Sequence, residues 1–138
     1  MSEIDDRERA IEAMVFASDE ALDARQIAGR FHDELTPGEV RAIKPIDASV
    51  KVPHMGWNDV ALTPHAQSDP VIEMGEAYFL HSYHFHVDNG RDVIAMTDHG
   101  GGLVAAVGRD NLLGVQFHPE KSQAYGLALL ERFLAWRP

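Results

Sequence analysis

The sequence predicts a sheet-and-helix domain preceded by a short helical segment, on three observations. Between Val50 and Phe117 the apolar residues fall in short runs separated by turn-forming residues, as strands do. From Ala124 to Trp136 they recur at helical spacing instead. The first 35 residues hold two further stretches of helical spacing.

Taken in chain order, the run from Arg7 to Ser18 places Ile11, Met14, Val15 and Ser18 on one face of a helix of two to three turns. Asp23-Ala-Arg-Gln26 reads as a capping box that opens a second helix through Ile27 and Phe31. Leu35-Thr-Pro-Gly38 is the clear breaker, and it divides the chain into residues 1–35, the helical segment, and 36–138. Val50 to Val52 leads into a Pro-His-Met-Gly turn. Ala77 to Tyr83 is an apolar-aromatic strand, and Asp92 to Thr97 is another, bounded by Asn89-Gly90 and by Asp98-His-Gly-Gly-Gly102. Leu103 to Arg109 and Leu112 to Phe117 form a hairpin through Asp110-Asn111. The closing helix turns Leu127, Leu130, Phe133 and Leu134 toward the sheet.

At 138 residues the chain suits one compact domain. Its net charge of -10 argues against nucleic acid or an anionic membrane as partner, because either would demand a basic patch. More than half of that charge, -6, falls within residues 1–37, as expected of a solvated helical face. Cysteine is absent, so disulfides are excluded and a reducing compartment fits. No apolar run approaches a membrane span, and the acidic N-terminus is not a signal peptide. The expected location is cytoplasmic.

The segment that carries chemistry is Gly114-Val-Gln-Phe-His118-Pro-Glu120-Lys-Ser122. A histidine that activates a nucleophile needs a third group to hold its ring, and a strand-end His-x-Glu puts imidazole and carboxylate on one side. His118 is the expected base and Glu120 its orienter. The nucleophile they would serve is missing, because Ser82 and Ser122 are far weaker acids than a thiol.

That segment resembles the end of class I glutamine amidotransferase domains, in which it carries two members of a Cys-His-Glu triad. Lys51-Val-Pro-His-Met-Gly56-Trp57-Asn58 and Tyr78-Phe-Leu-His81-Ser82-Tyr83 resemble one branch, the glutaminase subunits of imidazole glycerol phosphate synthase. The resemblance runs from about Thr36 to Pro138 and implies the fold class: α/β, specifically the C-terminal half of an amidotransferase sheet with helices on both faces. It implies catalysis by His118 and Glu120, and a glutamine site along His81, Ser82 and Tyr83. It further implies that Pro53, His54, Gly56, Trp57, Asn58 and Lys121 meet a cyclase-type (β/α)8 barrel subunit, which receives the ammonia. No cofactor is implied. Residues 1–35 resemble the opening of segregation and condensation protein B, a winged-helix protein, so the expectation is a truncated, chimeric chain that is inactive alone.

Half of such a sheet would leave Phe79, Val115 and the inner face of the last helix short of partners, and marginal folding or oligomerisation would follow. Three rival readings stand beside this one. The stretch His84 to Gly90 resembles a branch that supplies ammonia to surface-polysaccharide amidotransferases. His81, His84 and His86, with Glu76 or Asp88, suggest a small metal-binding β protein, although His81 has the wrong strand parity and the expected metal set is none. A non-catalytic interaction module would bind through Ile11, Met14 and Val15.

Overall fold

The computed structural model describes residues 13–15 and 43–138. The second expected helix and most of the first lie outside the described residues. The described strands are β1 (Ala13–Val15), β2 (Ile43–Pro45), β3 (His54–Leu62), β4 (Gly75–His81), β5 (Tyr83–Phe85), β6 (Val93–Asp98), β7 (Gly102–Arg109) and β8 (Leu112–Val115). One α-helix, α1 (Gln123–Ala135), closes the chain. No helix among the described residues is long and apolar enough to cross a membrane.

Six strands form a mixed sheet in the order β1-β8-β7-β6-β3-β4, and β2 pairs separately with β5. Within that sheet β1 runs parallel to β8, and the other pairs are antiparallel. The sheet with its single described helix agrees with the expected α/β class.

Alternation decides what β3 and β4 bury. His54 and Val60 turn inward from β3 while Met55, Trp57 and Asp59 are exposed; on β4, Ala77, Phe79 and His81 turn inward. The register sets His54 opposite His81 and Gly56 opposite Phe79, so the two inward sets share one face. Next in the sheet but one, β7 is buried at four successive residues, Leu103 to Ala106, as a strand covered on both faces must be. It turns into β8 through Asp110, which adopts φ 54°, a left-handed conformation that Asp tolerates better than most residues.

Beyond β8 the chain changes partner. The Gln116 N–H still donates to Ala105 O on β7 (2.8 Å), but the His118 N–H donates to Tyr78 O on β4 (2.9 Å). Because β4 and β8 lie toward opposite ends of the strand order, this bond requires the sheet to curl until the two approach.

Several expectations need correction. Ala13–Val15 is strand rather than helix, pairing with Leu113–Val115. So short an apolar run fits either period, and the unpaired edge of β8 offers a ladder that a helix would leave open. The turn expected at Pro53 to Gly56 is instead the start of β3, because Gly56 at φ 122° lets the backbone bend without leaving the ladder. The strand expected from Ala77 to Tyr83 breaks at Ser82 into β4 and β5.

The face of the last helix agrees with expectation at Phe133 and departs from it at the three leucines. Leu127 and Leu134 are 65% and 75% exposed, and Leu130 is exposed too, whereas Leu129 is buried and Phe133 and Trp136 pack on the core. A glycine decides between these two apolar stripes: a Cβ on Gly126 would run into the Pro119 carbonyl, so the helix approaches closely there and turns Gly126, Leu129 and Phe133 inward. Phe79 and Val115 are not short of partners either. Both are buried, with Phe117, Leu113 and Leu129 in one core.

Candidate functional site

His118 stands at the end of the segment that leaves β8 and precedes a single 3-10 turn, Pro119–Lys121. His118 and Glu120 are therefore brought together by a turn rather than by strand alternation. His118 Nδ1 lies 2.6 Å from Glu120 Oε1. A carboxylate only accepts, so Nδ1 carries the proton and the lone pair of a neutral ring is on Nε2. That Nε2 is buried and has no hydrogen-bond partner among the described residues. The ring is thus oriented, in the basic tautomer, with its basic nitrogen held in reserve.

Burial pulls the Glu120 carboxyl upward, but the His118 hydrogen bond, a backbone N–H and the charges of His118 and Lys121 outweigh it. The group is left below the ordinary carboxylate value. Glu120 therefore stays ionised while it holds the imidazole.

The segment is anchored by a residue that sequence reasoning treated only as a failed nucleophile. Ser122 is 1% exposed; its hydroxyl donates to His118 O (2.6 Å) and accepts from the Tyr78 N–H (2.9 Å). With the His118 N–H on Tyr78 O, two hydrogen bonds tie the histidine turn to Tyr78 of β4, and the Ser122–His118 bond closes the turn on itself. The hydroxyl proton is committed to the His118 carbonyl, so Ser122 offers no proton for the His118 ring to take. Its spacing from His118, four residues with a proline between, was the available signal.

The strand that receives this anchor carries the expected substrate segment. His81 is buried, whereas Ser82 and Tyr83 are half-buried at the bend between β4 and β5. The Ile46 N–H donates to Ser82 O (2.9 Å), and His81 Nδ1 lies 2.7 Å from Tyr83 O. Burial pushes the His81 imidazole down to about 4; the Tyr83 carbonyl opposes this, and the charges of His84, His99 and His118 add to it. The influence of His118 ties the two segments into one electrostatic neighbourhood.

Of the residues expected at a partner surface, Trp57 is 46% exposed, Lys121 is exposed, and Pro53, Gly56 and Asn58 are half-buried. His54 departs from the expectation. It is 3% exposed, its Nδ1 meets His81 Nε2 at 2.8 Å, and its ring stacks on both Phe79 and His99. Strand parity is the reason, since His54 and Trp57 are three residues apart and face opposite ways. The histidine run does not converge: His81 turns to His54, while His84 Nδ1 lies 3.0 Å from Phe85 O. Among the described residues no three His, Asp or Glu side chains gather as a metal site would require.

Comparison with known proteins follows the same line. The profile of the glutamine amidotransferase class-I family matches residues 24–136. The chain is 57% identical over 101 residues to imidazole glycerol phosphate synthase subunit HisH of Zymomonas mobilis subsp. mobilis, covering 73% of this chain and 46% of that protein. It is 52% identical to the same subunit of Azospirillum brasilense, over 72% of this chain and 53% of that protein. The Brucella abortus subunit is 50% identical, with 73% and 49% covered. The chain thus spans about half the length of the curated relatives it matches.

Proposed function

The chain belongs to the class-I glutamine amidotransferase family, and from that membership we propose that residues 36–138 supply the base and substrate strand of a glutaminase site of the imidazole glycerol phosphate synthase type. The 138 residues hold no cysteine, so the thiol of such a site lies outside them. His118 Nε2 takes the proton of that thiol as sulfur attacks the glutamine side-chain amide, and returns it to the departing ammonia. Water, deprotonated by the same nitrogen, then attacks the acyl carbon; the carbon–sulfur bond breaks, the proton returns to sulfur, and glutamate leaves. Glu120 holds the ring in the tautomer both steps require.

The observation that carries this reading is the buried Nε2 without a partner among the described residues, on a ring whose Nδ1 is bound to a carboxylate. A merely structural histidine would use both nitrogens. Glutamine lies along His81, Ser82 and Tyr83, and the exposed Trp57, with Pro53, Gly56, Asn58 and Lys121, meets a cyclase-type barrel that accepts the ammonia.

The test is glutamine-dependent ammonia release by the purified chain mixed with the cysteine-bearing half of a relative and its barrel partner. Alone the chain should release none. In the mixture His118→Ala should lower the rate by roughly 10²–10⁴-fold, the usual worth of a general base. Release that is indifferent to His118 would sink the proposal.

A further inference from the structure

Two buried imidazoles, His54 and His81, take no part in the proton transfers above, and the direction of every hydrogen bond around them is fixed. Tyr83 O can only accept, so His81 Nδ1 carries a proton. A neutral His81 then offers a lone pair at Nε2, and His54 Nδ1 must be the donor across their 2.8 Å contact. His54 Nε2 is left as an acceptor, and Asn58 Nδ2 donates to it at 3.0 Å while also donating to Asp98 O at 2.7 Å. The two carbonyls at the ends admit only this polarity.

We propose that His54 is a positioning residue: by donating to His81 it selects the tautomer that holds the Tyr83 carbonyl, and so shapes the bend that receives the substrate's amino-acid end. The proposal rests on the reading of His81 to Tyr83 as the glutamine-holding segment. Geometry supports it from both sides. The β3–β4 register sets His54 opposite His81, and stacking on Phe79 and His99 fixes the plane of the donating ring. The chain of donors also depends on neutral rings, and burial pushes both His54 and His81 down to about 4. The titratable groups that act on the pair are His99, His84 and His118, each of which disfavours a charge there.

The experiment uses the full chain labelled with ¹⁵N in its histidines, whose long-range proton–nitrogen spectra report each ring's tautomer. Wild-type protein at pH 7 should show His81 protonated at Nδ1. His54→Phe keeps the stacking but removes the donor, and should scramble the His81 tautomer and weaken glutamine binding about tenfold, the worth of one buried hydrogen bond. His54→Asn, which places an N–H near the lost Nδ1, should restore both. A His81 that stays protonated at Nδ1 alone in His54→Phe overturns the proposal. A tautomer that changes while glutamine affinity does not instead overturns the assignment of the segment to substrate.

Discussion

Acidification should destabilise this fold well before its carboxylates titrate. In the folded chain His54 and His81 are held at about 4, against 6.5 for an unperturbed imidazole. Between those values the unfolded chain binds protons that the folded chain refuses, so stability rises with pH across the window and is lost as pH falls from 6.5 toward 4. At pH 5 a displacement of this size amounts to about 2 kcal/mol for one imidazole. Part of the His54 displacement comes from the charge of His81, so the two are not additive and the pair together should lose about 3 kcal/mol relative to pH 7. For a chain of this length that lowers the melting midpoint by about 10 °C. Urea unfolding followed by circular dichroism at pH 7, 6 and 5 measures it. His54→Asn keeps the donor but removes one titrating ring, so its loss should be about half as large. A change below about 0.5 kcal/mol between pH 7 and 5, or equal slopes in the two proteins, would refute the neutral pair.

Three other perturbations have defined outcomes. Ser122→Ala removes one acceptor and one donor at a buried site and leaves the Tyr78 N–H unpaired, so denaturant melts should show a loss of roughly 1–3 kcal/mol. Phe79→Ala opens a cavity beneath the stacked His54 ring and beside Phe117, at about 3–5 kcal/mol in the same assay. Trp57→Ala, at an exposed position, should change stability by no more than about 0.5 kcal/mol. In titrations with a cyclase-type barrel, the partner proposed above, it should nonetheless cost roughly 2 kcal/mol or more, the threshold of an interface anchor.

The parts of this molecule that were legible in the sequence are those set by neighbours along the chain. The β7–β8 hairpin follows from Asp110-Asn111 between two apolar runs, and the contact of His118 with Glu120 follows from two residues of separation. Strand parity would also have predicted that His54 and Trp57 face opposite ways, had it been applied to a segment grouped by family likeness. What the sequence hid depends on distant partners. The helix carries two apolar stripes, and only the meeting of Gly126 with the Pro119 carbonyl selects Leu129 over Leu127. Ser122 acquires its role from Tyr78, 44 residues away, and His54 from His81, 27 residues away. Ala13–Val15 becomes a strand because β8 has an open edge, a fact about the sheet rather than about those three residues.

The hydrogen bond from the His118 N–H to Tyr78 O is a clasp of the curled sheet, since it joins the segment after β8 to β4. An amide in that position exchanges its proton with solvent only when that segment and β4 let go of each other. Its exchange rate is therefore a single-atom gauge of whether β8 and β4 open together or one before the other. The basic nitrogen of the same residue can keep its place only while that clasp is shut.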